Sequence, residues 1–248
     1  MNANYVYMKG IILAGGTGTR LKALTKVTNK HLLPIYDKPM IYFPINTLKS
    51  VDIDSILVVT DKRRTSDFLL LLGSGSDFGV RFTYALQESA KGIADALNKA
   101  KDFVYTDDMT VVLGDNIIFG NVKELREPLR KSCRIFLKEV EDPERFGIAY
   151  IENGKITKIV EKPKNPTSNL AIIGLYQYKS NVFNVINKVK PSKRNELEIT
   201  DVNKYFLDND DIEYKIIDNE WIDAGTIESL LKANEMERNF VDIGKDSC

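Results

Sequence analysis

The apolar run Gly10-Ile11-Ile12-Leu13 passes directly into Ala14-Gly15-Gly16-Thr17-Gly18-Thr19-Arg20-Leu21. The run reads as a buried strand. Three glycines within four positions then let the backbone turn tightly and approach a ligand with no Cβ in the way. Exposed N–H groups in such a turn favour anions, phosphate above all. Arg20 adds a permanent charge and a planar fork of donors. The segment therefore predicts a nucleotide phosphate site at the C-terminal end of the first strand. Two common phosphate loops do not fit. A P-loop needs Gly-Lys-Ser/Thr where Gly18-Thr19-Arg20 stands, and a dinucleotide fingerprint needs a glycine where Leu21 stands.

Around this loop, short apolar runs alternate with helical patterns. Gly10–Ala14, Ser55–Thr60, Arg81–Ala85, Thr110–Leu113 and Arg134–Val140 read as strands, and Met40–Ser50, Ser66–Leu72, Ala94–Phe103 and Val122–Lys131 as helices. Such alternation predicts an α/β fold with a mostly parallel sheet and helices on both faces. Ligands then sit beyond the carboxyl ends of the strands, where the glycine loop and Gly114-Asp115-Asn116 both fall. Pro39 is expected in the first turn of its helix, and Pro44 is expected to kink or shorten it. Ile148–Glu152, Asn153-Gly154 and Lys155–Glu161 form a hairpin pattern with a preferred turn dipeptide, and Leu170–Tyr178 is a further strand. These read as a smaller β-rich insertion. Helices are expected at Asn181–Val189, Ile199–Leu207 and Ile227–Glu237. With no repeat, low-complexity run or linker, residues 1–248 read as one domain with two lobes.

Composition removes several function classes. Lys plus Arg and Asp plus Glu number 35 each, so no net field recruits nucleic acid or membrane. No apolar stretch reaches the ~20 residues that span a bilayer, and the N-terminus has no signal-peptide core, so a cytoplasmic location is expected. Two cysteines, Cys133 and Cys248, suit a reducing compartment. With one histidine, His31, zinc is disfavoured, and any metal is expected to be a hard cation held by carboxylates.

Individually, the candidate chemical residues have ordinary alternatives. Lys30 is either a surface lysine or an ammonium aimed at a polyphosphate. Asp115 and Asp223 each follow a short apolar stretch, and either could cap a turn or hold Mg²⁺, with Thr226 a better-placed cap than Asp223. Glu161-Lys162-Pro163 is a solvated charge pair or a grip on a second phosphate and on hydroxyls. Together they supply a phosphate loop, cations and two metal ligands, with no evident Ser-His or Cys-His pair. That balance favours direct displacement at phosphorus by positioning and charge neutralisation.

The segment Leu13–Leu21, followed by Lys30-His31-Leu32-Leu33-Pro34-Ile35-Tyr36-Asp37-Lys38-Pro39-Met40-Ile41-Tyr42, resembles the sugar-1-phosphate nucleotidylyltransferases. Further matches are Gln87 with Gly92-Ile93-Ala94, Leu113-Gly114-Asp115-Asn116, Arg145-Phe146-Gly147, Glu161-Lys162-Pro163, Gly174-Leu175-Tyr176, Glu196-Leu197-Glu198-Ile199-Thr200-Asp201 and Trp221-Ile222-Asp223-Ala224-Gly225-Thr226. They occur in the family's order over nearly the whole chain. The resemblance implies a Rossmann-like three-layer fold. It assigns about 8–140 to the nucleotide, about 141–225 to the sugar and about 226–240 to a C-terminal helix.

It also implies a reaction: Mg²⁺-dependent transfer of a thymidylyl group from dTTP to α-D-glucose 1-phosphate. UTP or another hexose 1-phosphate is the alternative, and a non-catalytic nucleotide-sugar sensor is the alternative from another class. Arg20, Lys30 and Asp115 would be catalytic. Leu13, Gly15, Gly16, Thr17, Gly18, Thr19, Arg20 and Lys30 would bind the nucleotide, with Gln87 and Gly92 reading the base. Asn116, Gly147, Glu161, Lys162 and Ile172 would hold the sugar phosphate, and Asp115 and Asp223 the metal. His31 stands where the family has glutamine, Ile173 where it has threonine, and Ala23 where it has proline. The chain is expected to be a short form without the family's C-terminal extension, so feedback regulation and a tetramer are not carried over; a homodimer is expected.

Overall fold

Strand β1 (Met8–Ala14) occupies the middle of the main sheet in the computed structural model, which describes residues 8–16 and 18–246. It is followed by a short hairpin, β2 (Pro34–Ile35) and β3 (Lys38–Pro39), then α1 (Tyr42–Lys49), β4 (Ser55–Asp61), α2 (Thr65–Leu72) and β5 (Arg81–Gln87). Helices α3 (Ile93–Asn98) and α4 (Lys101–Val104) lead to β6 (Asp108–Leu113) and β7 (Asn116–Ile118). Next come β8 (Cys133–Glu139), β9 (Gly147–Glu152), β10 (Lys155–Glu161) and β11 (Leu170–Tyr178). The chain continues through α5 (Val182–Ile186), α6 (Ile199–Asp208), β12 (Ile212–Ile216), β13 (Trp221–Asp223) and α7 (Ile227–Asp246).

The main sheet runs β10-β9-β11-β6-β1-β4-β5, with β8 pairing β11 and β12 pairing β8. Its half from β6 to β5 is parallel. Strand β11 joins that half antiparallel through Leu175–Tyr178, and its Ala171 and Ile172 pair with β9. One long strand thus ties the parallel sheet to the β9–β10 hairpin. That hairpin turns on Asn153 (φ 52°) and Gly154 (φ 73°), the double positive φ that its dipeptide favours.

Alternation along β1 feeds two cores. Ile11 and Leu13 pack with Leu57, Val59 and Val111 beneath α3 to α6, while Ile12 and Ala14 pack with Ile56, Val58 and Val112 beneath α1 and α2. A third cluster joins Ile35, Met40, Ile117 and Ile222 to Ala233 of α7. Helices therefore cover both sheet faces, the three-layer arrangement expected from the alternation. Among the described residues no helix is long and apolar enough to cross a membrane.

The structure corrects some local expectations. Residues 122–131 are not a helix: a 3₁₀ turn covers Lys123–Arg126 and the chain is extended at Glu127 (φ −71°, ψ 138°). Pro128 disfavours helical geometry at Glu127. The buried Arg134 guanidinium also takes the carbonyls of Glu127 at 2.9 Å and Pro128 at 2.6 Å. Pro39 sits in β3 rather than in a helix, and α1 begins at Tyr42, which leaves Pro44 in the first turn, where its missing N–H breaks no helical bond. The helix expected over 94–103 is divided into α3 and α4.

Candidate active site

The carboxyl ends of β1 and β6 lie side by side because Leu13 pairs Leu113 in parallel register, and the Gly114 N–H donates to the Leu13 carbonyl at 2.9 Å. A cavity of about 370 Å³ opens there, lined by Leu13, Gly15, Gly16, Arg20 and Lys30 from the first part of the chain. Gly16 (φ +112°) and Gly18 (φ +62°) turn the loop, and a Cβ on Gly15 would lie 2.7 Å from Gln87 Oε1. Gly18 and Thr19 stand outside the cavity wall and shape the turn instead, with the Thr25 hydroxyl donating to the Gly18 carbonyl at 3.0 Å. Thr17 lies outside the described residues.

Lys30 begins a 3₁₀ turn that Asn29 caps by accepting the His31 N–H at 2.9 Å. From there its ammonium forms an ion pair with Asp115 in the cavity wall, with both side chains largely buried. Burial works against the Asp115 charge, but the Lys30 ammonium and the Asn116 amide more than offset it and hold the carboxyl well below the usual range. Asp223 is brought beside this pair by a short ladder in which it pairs with Asn116, and the Ala224 N–H donates to the Asp115 carbonyl at 2.9 Å. Burial first, then the Asp115 charge, raises the Asp223 carboxyl above its ordinary value; Lys30, Arg20 and the Gly225 N–H pull the other way. Arg20 reaches the same corner, since a Cβ on Gly225 would meet its guanidinium at 2.8 Å and Asp223 at 2.7 Å. Thr226 caps α7 by accepting the Ser229 N–H at 3.1 Å, which frees Asp223 from that duty.

Two carboxylates, Asp115 buried and Asp223 half-buried, whose charges oppose each other and against which cations are drawn, fit a divalent cation. Among the described residues no third His, Cys, Asp or Glu joins them. That suits Mg²⁺, which takes one or two carboxylates and completes its shell with water and phosphate oxygens.

At the other end, Asn116 connects the carboxylates to the β-rich part. Its Nδ2 donates to Asp115 at 3.3 Å, while its Oδ1 accepts the Gly174 N–H and the Trp221 indole N–H, both at 2.8 Å. The register of β11 shifts between Ile172 and Tyr176, and a Cβ on Gly174 would come within 2.6 Å of Asn116. Gly147, Glu161, Lys162 and Ile172 line this end, with Glu161 accepting the Thr200 hydroxyl at 2.5 Å. Lys162 adopts φ +44° after the hairpin, with its N–H donating to the Phe146 carbonyl at 3.0 Å.

Sequence reasoning left several lining residues without a role. Arg194, held by Glu198 at 2.9 Å and 3.1 Å, stands as a second cation near Lys162. Thr200 and Glu198 belong to a quoted motif, and Trp221, in edge contact with Phe146 at 5.4 Å, belongs to another. Gln87 and Gly92 line the opposite end. There Gly92 takes φ +98°, and a Cβ would lie 2.4 Å from the Leu197 carbonyl, so glycine is required for the 92 and 197 segments to meet.

The model of the family "Nucleotidyl transferase" matches residues 9–239. A glucose-1-phosphate thymidylyltransferase of Neisseria meningitidis is 42% identical over 233 residues, covering 91% of this chain and 81% of the relative. A Bacillus anthracis protein proposed to be a glucose-1-phosphate thymidylyltransferase, solved in complex with a sucrose, superposes with a TM-score of 0.89 at 49% identity, covering 93% of this chain and 95% of that one. A UDP-glucose pyrophosphorylase complexed with UDP-glucose gives 0.82 at 25% identity, covering 94% and 98%. The loop, cations and paired carboxylates thus lie in a chain matched over nearly its whole length, and the chain belongs to the nucleotidyl transferase family.

Proposed function

We propose that the protein transfers a thymidylyl group from dTTP to α-D-glucose 1-phosphate, giving dTDP-glucose and pyrophosphate. The observation that carries this reading is one cavity that joins the glycine loop, the Lys30–Asp115 pair with Asp223, and the Glu161–Lys162 end. The choice of thymidylyl and glucose is supported by the names of relatives about 40% identical.

In this reading a phosphate oxygen of the sugar phosphate attacks the α-phosphorus in line. A bond forms between that oxygen and phosphorus, the bond to the bridging β-phosphate oxygen breaks, and pyrophosphate leaves with the electron pair. The attacking phosphate is already ionised at neutral pH, so no protein nucleophile or base is required. Arg20 and Lys30 neutralise charge on the triphosphate and the departing pyrophosphate, a role in which one preorganised donor is worth about 10²–10³ in rate. Lys162 and Arg194 hold the incoming phosphate, and Glu161 accepts from sugar hydroxyls. Mg²⁺ held by Asp115 and Asp223 would supply charge neutralisation and a template for the phosphate oxygens.

The test is pyrophosphate release measured for dTTP, UTP, CTP and GTP against several hexose 1-phosphates. Highest kcat/KM for dTTP with glucose 1-phosphate is expected. A preference for UTP would overturn the thymidylyl assignment, and no turnover with any pair would favour a nucleotide-sugar sensor.

A further inference from the structure

Gln87 is buried at the end of β5, and its amide nitrogen donates to Asp95 Oδ2 at 2.9 Å and to the Gly92 carbonyl at 3.1 Å. A terminal amide has two N–H donors, so both are committed. Turned over, the amide would set Oε1 against a carboxylate oxygen and a carbonyl oxygen, with no proton between them. Acceptors facing acceptors in a buried site are strongly disfavoured, and the charged one weighs most. The network therefore fixes which way the amide lies. Oε1 then lies against Gly15 in the cavity wall, close enough that a Cβ there would be 2.7 Å away. Gln87, Gly15 and Gly92 line the cavity; Asp95, in the first turn of α3, stands behind them.

We infer that Asp95 is a positioning residue that sets the choice of pyrimidine. By locking the Gln87 amide it presents an acceptor to the nucleotide base. Thymine and uracil carry an N–H at ring position 3 and pair with that acceptor. Cytosine carries a lone pair there and meets it acceptor to acceptor. The lock does not separate thymine from uracil, which share the N–H and differ by a methyl group elsewhere on the ring. The inference rests on the proposed function, with the base lying against Gln87.

The experiment compares kcat/KM for dTTP and dCTP, with glucose 1-phosphate and Mg²⁺, in the wild type, Asp95→Asn, Asp95→Leu and Gln87→Leu. Asn is nearly isosteric and can meet either face of the Gln87 amide, so it removes the larger, charged part of the bias while keeping the packing, and only the Gly92 carbonyl still favours the native orientation. Both Asp95 variants are expected to narrow the dTTP:dCTP ratio by about tenfold or more, a difference of one hydrogen bond in a buried site. The KM for glucose 1-phosphate is expected to stay at the wild-type value in both variants, and so is the melting midpoint of Asp95→Asn, which keeps an acceptor for the Gln87 amide; a merely structural role for Asp95 would not narrow the ratio in a variant that melts like the wild type. If Gln87→Leu narrows the ratio and both Asp95 variants keep it, the inference is overturned and the base reading stands. If Gln87→Leu keeps the ratio as well, the base is read elsewhere and both fall. A wild type that turns over neither nucleotide overturns the proposed function itself, and the inference with it.

Discussion

Lys30 and Asp115 lie 85 positions apart in the chain and meet as a largely buried ion pair in the wall of the cavity. The meeting follows from sheet register. With Leu13 beside Leu113, the segment that follows β1 and the turn after β6 leave the same end of the sheet; the first supplies Lys30 from its second 3₁₀ turn and the other supplies Asp115. The same pair restrains Asp223, whose carboxyl feels the Asp115 charge on one side and two cations on the other. Structure and chemistry are therefore coupled at this point, and separate variants should pull them apart.

Replacing Lys30 with Met leaves the Asp115 carboxylate buried without a counter-charge. A loss of about 3–5 kcal/mol in unfolding free energy is expected, with pyrophosphate release down by at least about 10²-fold. The double variant Lys30→Met/Asp115→Leu should recover much of the stability and none of the activity. Urea denaturation and steady-state assays read the two quantities separately. If Lys30→Met loses stability while turnover with both substrates is kept, the pair is a structural brace and Lys30 leaves the mechanism.

Asp223 should show the opposite sign. Its carboxyl is raised in the folded protein, so folding is penalised as pH rises through the unfolded and then the folded value, and at neutral pH the whole penalty is present. Asp223→Asn is therefore expected to stabilise the metal-free protein at pH 7, by about 2–4 °C in melting midpoint for each kcal/mol recovered. Under the proposed mechanism the same variant should lose most of its turnover in the presence of Mg²⁺. An unchanged or lower midpoint would mean that Arg20 and Lys30 fully compensate the charge.

Much of this site was legible because its parts sit at ends of strongly patterned segments. Ile11 to Ala14 read as a strand from an unbroken apolar run, and the glycines after it announce a turn whatever the tertiary context. Asp115 was placed for the same reason. The ladder between β7 and β13 was not legible, because three-residue strands carry no period, yet it is this ladder that sets Asp223 beside Asp115. Arg194 was missed for a different reason. Its loop has no helix or strand of its own, and three carboxylates hold it at the cavity: its sequence neighbours Glu196 and Glu198, and Glu161 from the end of β10, a partner that sequence spacing does not reveal. The failed helix over 122–131 shows tertiary structure overriding local preference, since the Glu127 carbonyl, which such a helix would have bonded to the Lys131 N–H, is taken by Arg134.

Gly225 offers a test of geometry that leaves every charge in place. A Cβ at this position would lie 2.7 Å from Asp223 Oδ1 and 2.8 Å from the Arg20 guanidinium, so Gly225→Ala must displace one or both. Misplacement of catalytic groups by about 1 Å is enough to lower rates about 10²-fold. The expected outcome is a fall of that order in kcat/KM for dTTP, with the melting midpoint nearly unchanged because Arg20 is exposed and can move. Wild-type kinetics in Gly225→Ala would show that the Arg20 position is not critical to turnover.

His31 makes a prediction about acid stability that can be assigned to one group, because the chain has a single histidine. Its ring is buried against Gly114, where a Cβ would come within 2.7 Å, and it shares the Asn29 side-chain oxygen at 2.7 Å. Burial first, then the Lys30 charge, lowers the imidazole from an ordinary 6.5 to about 3. The folded protein therefore holds His31 neutral over a range in which the unfolded chain protonates it. The resulting stability is fully present above pH 6.5 and is lost as pH falls toward 3, with a limiting slope of about 1.4 kcal/mol per pH unit. His31→Gln keeps a polar side chain of similar reach without the titration. Urea unfolding followed from pH 7 to pH 4 should give a flatter profile for the variant than for the wild type, with the two curves diverging below about pH 6.5, the unfolded value. Parallel curves over that window would mean that the imidazole keeps its ordinary proton affinity in the folded chain, and that the pocket against Gly114 admits a charged ring.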